Sequence, residues 1–154
     1  GIGPSMLSGH LAGKTIVEAL EQGDVSQESL WPYNCSFMEM YGAKQAGLDV
    51  FRMLLLSSRD EDLNYGMKYG VLTEEDVLKA GLGEIPRLKI TETAERVFRG
   101  LKRIRYLNKL RLTVSMMKRV KAHYRNYPKA PGNFEGWRIK TDALFKEAKS
   151  KIMD

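Results

Sequence analysis

Three places in this sequence offer chemistry. The first is its opening run, Gly1-Ile2-Gly3-Pro4-Ser5-Met6-Leu7-Ser8-Gly9-His10-Leu11-Ala12-Gly13-Lys14. Glycine at positions 1 and 3 lets a partner approach the backbone without meeting a Cβ. Pro4 suits the first turn of a helix, where its missing N–H costs nothing. A helix starting there presents unpaired N–H groups and the positive end of its dipole, which together attract negative charge. The second place is the aromatic and methionine cluster of Trp31, Tyr33, Phe37, Met38, Met40 and Tyr41. Flexible thioethers and ring faces suit a long apolar ligand, and they suit an ordinary core equally well. The third is a basic segment. Residues 96–129 hold 12 Lys and Arg and no acidic side chain, whereas residues 1–95 sum to −7 and residues 130–154 to +1.

Other chemistries find no support. Cys35 is the single cysteine, so it forms no internal disulfide and no thiolate zinc site, and it reads as a small buried hydrophobe. His10 and His123 lie too far apart in sequence to carry ligand spacing, and no metal site is expected. There is no Ser-His-Asp arrangement, and Asp60-Glu61-Asp62 and Glu74-Glu75-Asp76 read as helix-start or solvated charge. The longest strongly apolar run, Met53 to Leu56, falls far short of the roughly 20 residues that cross a bilayer. No basic region precedes the first apolar residues, so no signal peptide is expected. The chain opens on Gly1 and not on Met, as though in the middle of a motif, and a processed or truncated product is expected. Its 154 residues, 43% hydrophobic and 29% charged, suit one globular domain in a reducing compartment.

The elements that must position these residues are helices. After Pro4, apolar or small residues at Met6, Leu7, Ala12, Ile16, Val17 and Leu20 approximate one buried helix face, which Gly23-Asp24 ends. Ser26 is a candidate N-cap. Ser26 to Ser58 then holds two helical pieces or one kinked helix, weakened by Gly42 and Gly47, with Pro32 in a first turn or at a break. Arg59 to Tyr69 predicts another helix. Thr73-Glu74-Glu75-Asp76 opens one more, which Gly81 and Gly83 stop, and Glu84 to Ile90 connects onward. Ala94 to about Tyr124 carries the longest pattern, with Val97, Leu101, Ile104, Leu107, Leu110, Val114, Met117 and Val120 at helical spacing. Tyr127-Pro128 and Pro131-Gly132 break it, and a last helix runs from about Phe134 to Ile152. Strand-like alternation is nearly absent, so the expected fold is mainly α with five to seven helices.

The opening run resembles the closing half of a flavoprotein motif. In FAD enzymes related to geranylgeranyl reductases and aromatic hydroxylases, a Gly-Asp-Ala-type segment is followed by Pro, a glycine cluster and a helix of the form A-M-x-S-G-x-L-A-A. Ser5-Met6-Leu7-Ser8-Gly9-His10-Leu11-Ala12-Gly13 fits that form, with Gly13 where Ala is common. The segment from Trp31 to Leu56 and the long helical tail resemble the C-terminal part of archaeal geranylgeranyl reductases, over about residues 1–125. The resemblance implies a portion of an α+β FAD-dependent oxidoreductase whose Rossmann-like FAD domain is otherwise missing. It implies Gly1, Ile2 and Gly3 beside the flavin, near N1 and the C2 carbonyl. It also implies Tyr33, Phe37, Met38 and Tyr41 along a tunnel for a geranylgeranyl lipid. No G-x-G-x-x-G follows a strand, and the Gly-Asp segment is absent. The chain alone is therefore expected not to retain FAD, and to need an N-terminal FAD domain.

The divisions implied are residues 1–24 as the terminal helix of that FAD domain, 25–90 as a helical segment near the substrate, and 91–154 as a long basic helix with a final helix. The basic segment has three open readings: a solvated face, docking to an anionic membrane surface, or a helical module for nucleic acid or another anionic partner. Arg96, Arg99, Lys102, Arg103, Arg105, Lys109, Lys118, Arg119, Lys121 and Arg125 spread over several faces with no nucleic-acid motif, so nucleic acid is the weakest of these. A cytoplasmic protein, peripheral at the membrane, is the expected setting.

Overall fold

The computed structural model describes residues 1–87, 91, 97–98 and 103–153, and among these it is helical with no strand. The helices are α1 (Ile2–Gln22), α2 (Gln27–Leu30), α3 (Pro32–Phe37), α4 (Ala43–Ser57), α5 (Asp60–Lys68), α6 (Glu74–Gly81), α7 (Ile104–Arg125) and α8 (Phe134–Met153). Six of those described have eight or more residues, within the expected five to seven. A π-helical turn, Met38–Gly42, joins α3 to α4, so Pro32 to Ser57 is one continuous helical run with a local change of pitch.

Local chemistry sets the boundaries. Ser26 caps α2 by accepting from the Ser29 N–H at 3.3 Å. Pro32 sits in the first turn of α3. Thr73 and Asp76 form a reciprocal capping box at α6, the Asp76 N–H donating to Thr73 Oγ1 and Asp76 Oδ2 accepting from the Thr73 N–H. Gly83, at φ +77°, ends that region in a conformation that only glycine adopts without strain.

The core is the seam where α4, α7 and α8 meet. Val50 and Leu54 of α4 pack with Leu107, Leu110, Met117 and Val120 of α7 and with Ala148 and Ile152 of α8. Gly47 lets α7 come close, since a Cβ there would lie 2.9 Å from Lys121 Cδ. Gly42 serves the π turn in the same way, a Cβ there meeting Met38 Sδ at 2.5 Å. These two glycines, which weaken a helix in isolation, are close-approach positions here.

Two expectations need correction. The apolar face expected to be buried on α1 is largely exposed: Met6 is 71%, Ile16 50%, Val17 54% and Leu20 63% accessible. The buried residues of α1 are Leu11, Thr15 and Ala19, because α1 packs mainly on α3, through that narrower stripe. The long helix does not run unbroken from Ala94. Arg103, at φ −109° and ψ 19°, is not helical, and α7 begins at Ile104. Ion pairs from Arg103 to Glu61 and Asp62 hold the chain at that point. Residues 92–96 and 99–102, with Arg96, Arg99 and Lys102, lie outside the described residues.

Leu110→Ala, which opens the centre of the seam, is expected to destabilise the fold by about 2–5 kcal/mol, measured by urea unfolding. Glu147 on α8 accepts from Arg119 Nη1 at 2.6 Å, Arg119 Nη2 at 2.8 Å and Lys151 Nζ at 2.6 Å. Those cations hold its carboxyl down at about 2, against 4.5 for a free one. A depressed carboxyl stabilises above its unfolded value, and that contribution fades as pH falls from 4.5 towards 2. Glu147→Gln is therefore expected to lower the melting temperature at pH 6 and to flatten its decline over that acid window, followed by thermal circular dichroism.

Candidate functional site

Gly1 is the N-cap of α1 with no side-chain cap, and no acidic residue lies in the first turn. The first helical bond is donated by the Ser5 N–H to the Gly1 carbonyl at 3.2 Å, and Ser5 Oγ donates to the same oxygen at 2.9 Å. The Ile2 and Gly3 N–H groups therefore precede the ladder, and Pro4 has none. A Cβ at Gly1 or at Gly3 would meet nothing within 4 Å, and Ile2 is exposed. The helix thus begins two residues earlier than Pro4, so Ile2 and Gly3 belong to its first turn.

The aromatic cluster divides in two. Tyr33, Phe37 and Tyr41 form a ladder along α3 and the π turn, with centroids 6.0 Å and 5.5 Å apart, and Tyr33 Oη shares a 2.8 Å hydrogen bond with Ser8 Oγ of α1. All three rings and Met38 are half-buried, and Met40 is exposed. Through Tyr33 the ladder meets α1. Trp31 belongs elsewhere. It is buried, stacks on Tyr127 at 5.7 Å, meets Phe134 edge-on at 5.8 Å and donates from Nε1 to the Pro128 carbonyl at 2.7 Å. It pins the α7–α8 connection, where Trp137 stacks on His123 at 5.0 Å.

The remaining candidate groups are structural. Cys35 Sγ donates to the Pro128 carbonyl at 3.4 Å, and burial pushes its thiol up, so the reactive thiolate is disfavoured. His123 Nε2 lies 2.9 Å from Thr141 Oγ1 and 3.2 Å from the Trp137 carbonyl, and burial lowers its basicity. His10 lies beside a shallow groove on α1 with Gly9, Gly13, Lys14 and Val17. Among the described residues no group of His, Cys, Asp and Glu could hold a metal ion, and no helix is long and apolar enough to cross a membrane.

Several cations of the basic segment are paired or bonded within the chain. Arg119 pairs with Glu147, Lys121 Nζ donates to the Gly83 carbonyl, and Arg103 reaches Glu61 and Asp62 while lying 4.6 Å above the Tyr65 ring. Asp62 is buried. Burial raises its carboxyl, but the hydrogen bonds from Arg59 and Arg103 outweigh this and hold it below the usual range. Read from sequence, Asp60-Glu61-Asp62 gave no sign of this partnership, because its basic member lies 41 residues further along.

No protein-family model matches the chain. Over 147 residues, 96% of its length, it is 41% identical to a digeranylgeranylglycerophospholipid reductase from Sulfolobus acidocaldarius. The chain belongs to the geranylgeranyl reductase family, as its first helix indicated, and it spans about a third (32%) of the length of that relative.

Tyr33→Phe removes the hydroxyl bridge to Ser8 and is expected to loosen α1 by about 1 kcal/mol. Hydrogen exchange should then rise about fivefold in residues 2–22, where protection reports local opening, and stay unchanged in α4 and α7. Equal loss of protection across the whole chain would show that the bridge serves the global fold.

Proposed function

We propose that this chain is the C-terminal portion of a flavin-dependent reductase that saturates C=C bonds of geranylgeranyl chains in membrane lipid synthesis. The 41% identity along nearly the whole chain carries this reading. The glycines at positions 1 and 3 and the lack of an acidic side chain in the first turn of α1 support it, since both suit an anionic ring edge. In that role Gly1, Ile2 and Gly3 lie at the flavin, and their backbone stabilises negative charge on its reduced form. The flavin supplies the hydride when bound. Tyr33, Phe37, Met38 and Tyr41 line the path of the isoprenoid chain, and their half-buried faces leave apolar surface for it. The reaction needs a proton donor, and none of these residues is assigned that part.

These residues make one wall. The adenosine-binding half of the site belongs to the N-terminal FAD domain of the same protein. The exposed apolar stripe of α1, with Met6, Val17 and Leu20, supplies a face for that domain to cover. The parent works at a membrane surface, to which its lipid substrate confines it.

The 154-residue chain is expected to be colourless after gel filtration in the presence of FAD, whereas the protein extended upstream of Gly1 should be yellow, hold one flavin and reduce a geranylgeranyl lipid under anaerobic reducing conditions. Stoichiometric flavin on the short chain would overturn the one-wall account. An extended protein that holds no flavin would overturn the reductase reading.

A further inference from the structure

The cations of α7 differ in what they do. Arg103 and Arg119 are held in ion pairs, whereas Lys118, Lys121 and Arg125 stand at i, i+3 and i+7 on another face of the helix. Lys44 of α4 joins these three at the end of α6. Its stem lies over Gly83, where a Cβ would overlap Lys44 Cγ, and Lys121 Nζ donates to the Gly83 carbonyl. Burial, then Arg125 and Lys44, lower the basicity of Lys121, so the three charges lie within reach of one another. Glu84, which is exposed, is the carboxylate that acts on Lys121 in return. Lys118 and Arg125 are exposed too, and among the described residues neither they nor Lys44 enter an ion pair.

A second, independent observation is apolar and comes from α6. Leu78 and Leu82 stand four residues apart and are 63% and 62% exposed, on the side of the helix opposite its buried Asp76 and Ala80. Leu82 directly precedes Gly83, the residue on which Lys44 and Lys121 converge. One exposed leucine is ordinary at a protein surface. Two of them a turn apart, bordered by four cations and one carboxylate, have the composition of elements that lie in the interface of a lipid bilayer, where leucines sink among the headgroups and Lys and Arg meet the phosphates. A nucleic acid would engage the cations alone and leave the leucines in water.

We propose that the end of α6 and the adjoining face of α7 dock on an anionic lipid bilayer, with Leu78 and Leu82 entering the headgroup layer and Lys44, Lys118, Lys121 and Arg125 meeting lipid phosphates. This deepens the reductase reading, on which it rests, by naming the face of the protein that meets the membrane. The field of an anionic surface reaches about 8 Å at physiological salt, so only cations on the docked face respond to it. Each of those strengthens partitioning about fivefold. The leucines act through burial of apolar area, which ordinary salt does not screen. The two contributions are therefore separable by measurement.

Sedimentation of the protein extended upstream of Gly1 with vesicles of phosphatidylcholine, alone or mixed with phosphatidylglycerol, tests it. Binding to the mixed vesicles is expected to exceed binding to phosphatidylcholine at least tenfold at low salt, and to fall as salt rises. Lys118→Gln and Arg125→Gln should each weaken it about fivefold. Neither side chain is paired in the fold, so the melting temperature should not move, which separates loss of docking from loss of structure. Leu78→Ser combined with Leu82→Ser should weaken binding about tenfold and leave its salt dependence unchanged. Lys149→Gln removes an exposed cation of α8 and should have no effect. Reduction of a geranylgeranyl lipid dispersed in detergent reads the reductase assignment separately: it should be equal in all these variants, and its absence from the unaltered protein would overturn that assignment without touching vesicle binding. Equal binding to both kinds of vesicle, no binding, or a loss in Lys149→Gln as large as in Lys118→Gln overturns the docking proposal. So does tight binding to duplex DNA without vesicle binding, which assigns this face to nucleic acid.

Discussion

The close approach of α4 and α7 is the constraint on which the rest of the molecule depends. Gly47 leaves room on α4 for the Lys121 stem, which lies across it to reach the Gly83 carbonyl. With the axes this close, Val50 and Leu54 interleave with Leu107, Leu110 and Met117, each of them almost wholly withdrawn from water. Burial of such side chains contributes about 1.5–3 kcal/mol apiece, which the short helices cannot match. α8 then closes the third side, through Ala148 and Ile152 and through the Arg119–Glu147 pair. Both ends of the seam are consequences. At one, Ser57 Oγ donates to the Ile152 carbonyl and Lys109 Nζ donates to the Ser57 carbonyl at the end of α4. Near the other, the helical run continues through the π turn into α3, and α1 is attached.

α1 stands outside this core. It has no member in the central cluster, and it is joined to the rest through the narrow stripe of Leu11, Thr15 and Ala19 and the hydroxyl bridge from Ser8 to Tyr33. A helix held this lightly turns its larger apolar residues outward and leaves them without cover in this chain. The stripe that packs within this chain is narrow because a helix of 21 residues has two faces to cover, and only one of them meets α3.

How much of this was legible in the sequence follows from the range of each signal. Local rules worked: the helix start at Thr73, the Ser26 cap, Pro32 in a first turn and the break at Pro128 and Pro131 all rest on neighbours within four residues. The flavoprotein-like run was legible because its small residues and glycines stand in a fixed order. Which face of α1 is buried was not, because periodicity reports that a helix has an apolar side without saying which partner covers it. Gly42 and Gly47 looked like weak points and proved to be contact points, a difference that only the partner's position reveals. The Asp62–Arg103 pair was hidden for the same reason, since it forms only when α5 meets the start of α7.

The charge on the basic segment is smaller in effect than its sequence suggests. Arg103 and Arg119 are drawn into pairs with Glu61, Asp62 and Glu147, and Lys121 is held by the Gly83 carbonyl. A paired cation contributes little at a distance, and charges left at the surface are screened within about 8 Å at physiological salt. A run of cations in the sequence therefore serves the packing of α7 against its neighbours as much as any outward attraction.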